Sequence, residues 1–157
     1  MGPLSNRPQF DRVRSLVGAS VAAGGIIVTG GEPLSRSGFF YPPTLVIGAD
    51  EANPLVREEQ FGPALPIIPY TDVDDAIGAA NAGDFGLGGS VWTDDLDRGA
   101  ALARRLECGT AWINRHGIVV PDTPFGGMKQ SGVGRANGEP GLESYAELQT
   151  VSMARAR

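Results

Sequence analysis

A single cysteine, Cys108, in a chain of 157 residues excludes any intramolecular disulfide, so packing and hydrogen bonds must hold the fold. His116 is the lone histidine, and a zinc site of three or four nitrogen and sulfur ligands cannot be assembled from that supply; no metal is expected. No run approaches the ~20 apolar residues that span a bilayer. Met1 to Phe10, with Pro3, Asn6 and Pro8, lacks the charged-then-apolar order of a secretory leader. Basic residues are outnumbered, 13 against 18 acidic ones, for a net charge of −5. Phosphate contact needs clustered cations, which argues against a nucleic-acid partner; Arg155 and Arg157, the one dense basic group, read as a solvated tail. Together these absences lead to the expectation of a soluble, acidic, cytoplasmic domain without membrane contact.

A dinucleotide fingerprint is missing too. Gly132-Val133-Gly134-Arg135-Ala136-Asn137-Gly138 has its third glycine one residue too far along, no strand leading in and no useful helix following. Its glycines read as turn or packing residues. His116, Asp122 and Ser131 can be drawn as a hydrolytic triad, but no nucleophile elbow surrounds Ser131. Cys108, between a helix end and a strand, reads as a small, partly buried structural residue rather than a nucleophile.

What is present looks globular: 41% hydrophobic and 20% charged residues, with 23 glycines, about twice the typical ~7% share. Apolar residues at Phe10, Val13, Leu16, Val17 and Val21 predict a helix over Gln9 to Ala23, ended by Gly24-Gly25. Ile26 to Val28 is expected to be a short buried strand. Phe39 to Ile47, split by Pro42-Pro43, suits an edge strand or an extended arm. Strands are then expected at Ala64–Tyr70, Gly88–Trp92 and Gly109–Asn114, with helices at Asp72–Ala82 and Asp94–Glu107 between them. That alternation is the signature of α/β architecture with a parallel sheet and crossover helices. Pro124 to Gly138 has neither period and reads as a long functional loop. Gly141–Leu148 is expected to be a short helix, and Thr150–Met153 a terminal strand needing a partner.

Two segments carry chemistry. Glu58 and Glu59 form a buried-looking carboxylate pair running into Phe61-Gly62-Pro63, and Pro124-Phe125-Gly126-Gly127-Met128-Lys129-Gln130-Ser131-Gly132 is a glycine-dense loop. Together they resemble the NAD(P)-dependent aldehyde dehydrogenase superfamily, whose pattern of two glutamates, any residue, then Phe-Gly-Pro is matched by Glu58 to Pro63. Matches continue through Asp74-Asp75-Ala76-Ile77, Ala80-Asn81, Phe85-Gly86-Leu87, Gly109 to Asn114, Gly134-Arg135 and Gly141 to Tyr145, and Gln9, Arg12 and Val13 match an earlier helix.

The resemblance implies an incomplete three-layer α/β fold with a parallel sheet, of the C-terminal catalytic-domain type. Residues 1–148 would be part of that domain, and 149–157 an oligomerisation strand and tail. It implies that Glu59 hydrogen-bonds the nicotinamide ribose of NAD or NADP and that Phe61 packs beside the nicotinamide. A carboxylate can accept from both ribose hydroxyls, and an aromatic face can hold a flat ring. Phe125 would lie near the aldehyde pocket. His116 to Val120 would sit where the family varies substrate choice, with Val119 replacing a larger aromatic of many relatives. Ala136 and Asn137 depart from the family's usual pair after Gly-Arg. The family's nucleophilic cysteine, general-base glutamate, oxyanion-hole asparagine and cofactor domain correspond to positions before Met1. No catalytic residue is therefore assigned here, and the chain alone is expected to be inactive. It is expected to form a homo-oligomer or pair with a full-length subunit; a truncated assembly module or a broken-gene product is the alternative.

Overall fold

The computed structural model describes residues 1–155; of the expected tail, Ala156 and Arg157 lie outside the described residues. The chain divides into two compact units, Met1–Asp75 and Ala76–Arg157.

The first unit is built around helix α1, Arg7–Ala22. It begins two residues before the predicted start, because Asn6 Oδ1 accepts from Gln9 N–H at 2.9 Å and Pro8 suits a first turn. Gly24, at φ +98°, ends it in the left-handed conformation that β-carbon-bearing residues avoid. Strands β1 (Ile26–Thr29), β2 (Thr44–Ile47) and β3 (Ala64–Ile67) form a sheet in that order. β1 and β2 are antiparallel, and β2 and β3 are parallel, with Val46 opposite Pro66. Two expectations change. β2 is the central strand, not an edge: Pro42-Pro43 precedes it, and its only donor-free neighbour, Pro66, sits on the outer strand where a missing N–H is tolerated. β1 is not buried within this unit; Ile26, Ile27 and Val28 are all exposed. Val13, Leu16 and Val17 of α1 pack with Tyr41, Val46, Leu55 and Ala64 as the core.

A short helix absent from the sequence reading, α2 (Pro54–Arg57), follows the buried cap Asn53. Asn53 Oδ1 accepts from Leu55 N–H, and its Nδ2 donates to Ser20 O, both at 3.1 Å. The buried amide therefore ties α2 to the last turns of α1 and sets where the chain emerges at Glu58.

Helix α3 (Val73–Asn81) contains the division between the units. The second unit holds β4 (Phe85–Gly86), β5 (Gly88–Val91), α4 (Leu96–Ala103), β6 (Thr110–Ile113), β7 (Met128–Lys129) and α5 (Gly138–Glu143). β5, α4 and β6 form the expected parallel crossover unit, and Asp95 caps α4 through Arg98 N–H at 2.9 Å. Among the described residues the strands form three short ladders, β1-β2-β3, β5-β6 and β4-β7, instead of one continuous parallel sheet. β4 and β7 are antiparallel, so the predicted structureless loop contributes a strand. α5 starts and ends earlier than expected, and Thr150–Met153 forms no strand within the single chain. A strand needs a neighbour to supply its hydrogen bonds. Among the described residues no helix is long and apolar enough to cross a membrane, and no cluster of residues could hold a metal.

Candidate functional site

In the first unit, the Glu-Glu-Gln-Phe segment is held by its main chain. Gln9, Arg12 and Val13 share one face of α1, as residues spaced by three and four positions do. Gln9 Nε2 donates to the carbonyls of Gln60 and Phe61, both at 2.6 Å. Arg12 donates from Nη2 and Nε to Glu59 O at 3.0 and 3.3 Å, and Nη2 also reaches Glu58 Oε2 at 3.3 Å. Gln60 Nε2 closes the turn by donating to Ala64 O. Gly62 lies so close to α1 that a β-carbon there would collide with Val13 Cγ2. Val13 is wholly buried and stiff at χ1, so it has no room to give.

The backbone contacts free the side chains. Phe61 is 72% exposed and takes φ +50°, a left-handed conformation costly for a bulky residue. Glu59 is half-buried and Glu58 exposed, so the pair is not the buried one its sequence suggests. The Arg12–Glu58 ion pair joins two half-exposed side chains and adds little stability through charge alone. The result is a carboxylate and an aromatic ring two residues apart on a clamped backbone.

In the second unit, Phe125 is half-buried and Val119 is 46% exposed, as Ile118 and Val120 are to a similar degree. Phe125 exchanges both main-chain hydrogen bonds with Ala136 at 2.8 Å, so the two arms of the glycine-dense loop are bridged. Most motif residues around Phe125 turn out to be braces. Arg135 Nη1 donates to Gly127 O at 2.8 Å and Gly134 O at 2.7 Å. Lys129 Nζ donates to Asn81 O and Gly83 O and pairs with Glu107 at 2.8 Å. Asn81 donates to Arg105 O at 2.8 Å and accepts from Glu107 N–H at 2.9 Å, joining the ends of α3 and α4. Asn114 exchanges two hydrogen bonds with the Thr93 backbone at 2.8 and 2.7 Å, linking the ends of β5 and β6. Trp112 Nε1 donates to Ile118 O at 3.0 Å, which anchors the aliphatic run 118–120.

The drawn triad has no support in these contacts. Ser131 Oγ accepts from Gly86 N–H at 3.0 Å, His116 stacks edgewise on Trp112 at 5.1 Å, and Asp122 meets Thr123. Cys108 is half-buried, its Sγ 3.3 Å from Thr110 O, and burial pushes its pKa up. A raised thiol pKa is the opposite of what a nucleophile needs. The sequence reading matched Gln9 and Arg12 to a helix but missed their grip on the site loop. The available signal was their spacing with Val13.

The chain has a mixed α/β fold with parallel strand pairs and a Glu-x-Phe-Gly-Pro turn braced on a helix. Comparison with known proteins supplies the family: residues 1–151 match the family model described as "Aldehyde dehydrogenase family", and the chain belongs to that family. It is 39% identical over 151 residues to a betaine aldehyde dehydrogenase of Cereibacter sphaeroides, covering 96% of this chain and 31% of that protein. It is 36% identical over 152 residues to retinal dehydrogenase 2 of Gallus gallus, covering 97% and 29%. Lactaldehyde dehydrogenase of Escherichia coli superposes with a TM-score of 0.92 at 34% identity, covering 96% of this chain and 32% of that one. An aldehyde dehydrogenase of Mycobacterium tuberculosis complexed with NAD+ gives 0.88 at 40% identity, covering 92% and 30%. The chain thus spans about a third of the length of the relatives it matches.

Proposed function

We infer that this chain supplies part of the nicotinamide and substrate walls for NAD(P)-dependent oxidation of an aldehyde to a carboxylic acid. The observation that carries the reading is the exposed Phe61 ring on a left-handed, clamped backbone, two residues from the Glu59 carboxylate. Backbone strain of this kind is retained where surroundings over-determine it, often at ligand sites. The residues fit a nicotinamide riboside: Glu59 offers acceptors for two hydroxyls, and Phe61 offers a flat apolar face. The cofactor, when bound, supplies the hydride acceptor. Glu59 fixes the ribose, Phe61 limits rotation of the ring, and Phe125 with Val119 contributes apolar wall to the aldehyde. Val119 in place of a larger aromatic leaves a roomier pocket.

No group in the chain is assigned as nucleophile or base, and the isolated polypeptide is read as inactive, with cofactor affinity limited to the nicotinamide end. The cofactor is NAD or NADP, and the working location is cytoplasmic. Titration calorimetry of the chain with either dinucleotide is the test. Affinity weaker than about 1 mM is expected, because adenine and pyrophosphate contacts do not contribute to offset the cost of ordering the ligand. Micromolar NAD binding that is unaffected by Glu59→Gln contradicts the assignment.

A second reading, a non-catalytic assembly module, draws on the exposed apolar residues near the C-terminus, Tyr145, Leu148, Val151 and Met153. Under it, residues 149–157 pair with another copy or with a full-length subunit.

A further inference from the structure

We propose that the Asn137–Gly138 peptide is a self-modification site. Asn137 converts to isoaspartate when the hydrogen bond from Gly138 to Pro121 opens, and the conversion releases the segment 116–125. The inference does not depend on the nicotinamide reading and concerns the other unit. Asn137 stands apart from the other asparagines of the chain. Asn6 accepts from Gln9 N–H through Oδ1, and Asn53, Asn81 and Asn114 each use both ends of the amide. Asn137 is exposed, and among the described residues its side chain makes no hydrogen bond, not even the capping bond that its place before α5 invites. It is also the only asparagine followed by glycine. Asn53 precedes Pro54, which has no N–H, and Asn6, Asn81 and Asn114 precede residues whose β-carbon crowds the approach to their backbone nitrogen.

The chemistry needs only water. Gly138 N gives its proton to a solvent base and attacks Asn137 Cγ. The N–Cγ bond forms, the Cγ–Nδ2 bond breaks, and ammonia leaves after taking a proton from solvent, which closes a succinimide ring. Water then adds to either ring carbonyl and breaks its bond to the nitrogen. Opening at Cγ gives aspartate; opening at the main-chain carbonyl gives isoaspartate, whose chain runs through the β-carbon. In the folded chain one contact stands in the way. Gly138 N–H donates to Pro121 O at 3.0 Å, so its proton is held. Ring closure also has to turn the Asn137 ψ away from 168°, which carries that N–H off the Pro121 carbonyl. Opening of the Pro121 contact therefore gates both requirements. Pro121 follows the aliphatic run 118–120, which Trp112 Nε1 anchors at Ile118 O. Isoaspartate lengthens the main chain between Ala136 and Gly138. Ala136 is bridged to Phe125 by two hydrogen bonds at 2.8 Å, and Gly138 lies against Pro124, where a β-carbon would meet Cδ at 2.9 Å. The bridge and the Pro121 bond no longer fit the same spacing across the longer link, so the release runs one way.

The test incubates the full folded chain at mildly alkaline pH for days. Peptide mapping by mass spectrometry locates the exchange of amide for carboxyl, and isoaspartyl methyltransferase with a labelled methyl donor counts the isoaspartate. Conversion is expected at Asn137 with the other asparagines intact, and the methyl label is expected to vanish in Asn137→Gln, whose longer side chain closes a ring slowly. Urea removes the gate and is expected to speed conversion about tenfold. Trp112→Phe removes the donor that anchors Ile118 O and is expected to speed it about fivefold in the folded chain. Ala103→Gly is the control: it weakens the buried face of α4 in the same unit, away from the segment, and is expected to convert at the wild-type rate. Limited proteolysis of converted chain is expected to cut within 116–125 about fivefold faster than unconverted chain. Asn137 staying intact in the folded chain, whatever happens in urea, overturns the site. Trp112→Phe at the wild-type rate, or Ala103→Gly as fast as Trp112→Phe, overturns the gate, because conversion then ignores the segment or follows stability. Equal cleavage of converted and unconverted chain overturns the release.

Discussion

Adding one methyl group at Gly109 tests whether the glycine-dense loop is braced as described. A β-carbon there would fall inside the van der Waals envelope of the Gly126 carbonyl oxygen, with the carbonyl carbon only 2.7 Å away. The obstacle is backbone, not the end of a flexible side chain. It is also backbone tied down on both sides, by Arg135 to Gly127 O and by the Phe125–Ala136 bridge. Gly109 has no left-handed φ, so contact alone sets the cost. Overpacking typically costs 1–3 kcal/mol, and a carbonyl that must retreat by more than an ångström belongs at the top of that range, about 3 kcal/mol. For a chain of this size that corresponds to a melting-temperature loss of about 6–12 °C. Gly18, inside α1, is the matched control: a β-carbon there meets nothing within 4 Å, and alanine is expected to raise stability by about 0.5–1 kcal/mol. Thermal unfolding by circular dichroism at low concentration measures both, and limited proteolysis reports whether the loop at 116–138 is released in Gly109→Ala. An unchanged melt and an unchanged cleavage pattern for Gly109→Ala would show that the loop does not rest on β6.

Other outcomes follow from the same contacts. Purified chain should not oxidise aldehydes with NAD or NADP in a spectrophotometric assay; turnover that disappears in Cys108→Ala would reassign that thiol as catalytic. Light scattering should show self-association, reduced by truncation after Leu148 because Val151 and Met153 are removed; a monodisperse monomer with and without residues 149–157 would refute the assembly reading. Burial raises the pKa of Cys108 and also that of Tyr41, where burial is reinforced by the charge of Glu32 and opposed by that of Arg14. As pH climbs through the ordinary thiol and phenol range, the unfolded chain loses protons that the folded chain keeps, so stability should fall. A flat chemical-denaturation midpoint across that range would contradict it.

How far the sequence carried depended on the range of the interaction. The stripe Val13, Leu16, Val17 announced α1, and the βαβ rhythm from Gly88 to Ile113 announced β5, α4 and β6, because periodicity is a local record of burial. The motif at Glu58–Pro63 stood out through its resemblance to a family pattern and not through any period. α2 and the ladders of β4 and β7 are too short to hold a period at all. The position of β2 in the middle of its sheet depends on where β1 and β3 return, and the exposure of β1 on what lies against it; neither is written in the strand itself. The braces by Asn81, Asn114, Arg135 and Lys129 reach across the chain to main-chain carbonyls or amides, which carry no side-chain signature. Hence the bracing task of these matched residues came only from the structure.

The left-handed backbone at Phe61 sets two selective demands against each other. Glycine would sit there without the steric cost of about 1–2 kcal/mol that a β-carbon brings, while that change removes the ring. A library of variants sorted for resistance to heat would be drawn toward glycine at 61, and one sorted for nicotinamide capture would be drawn away from it. Under the proposed nicotinamide reading, thermostabilised versions of this chain, chosen without a ligand in the tube, would therefore drift toward a better-behaved protein with a blunter binding face.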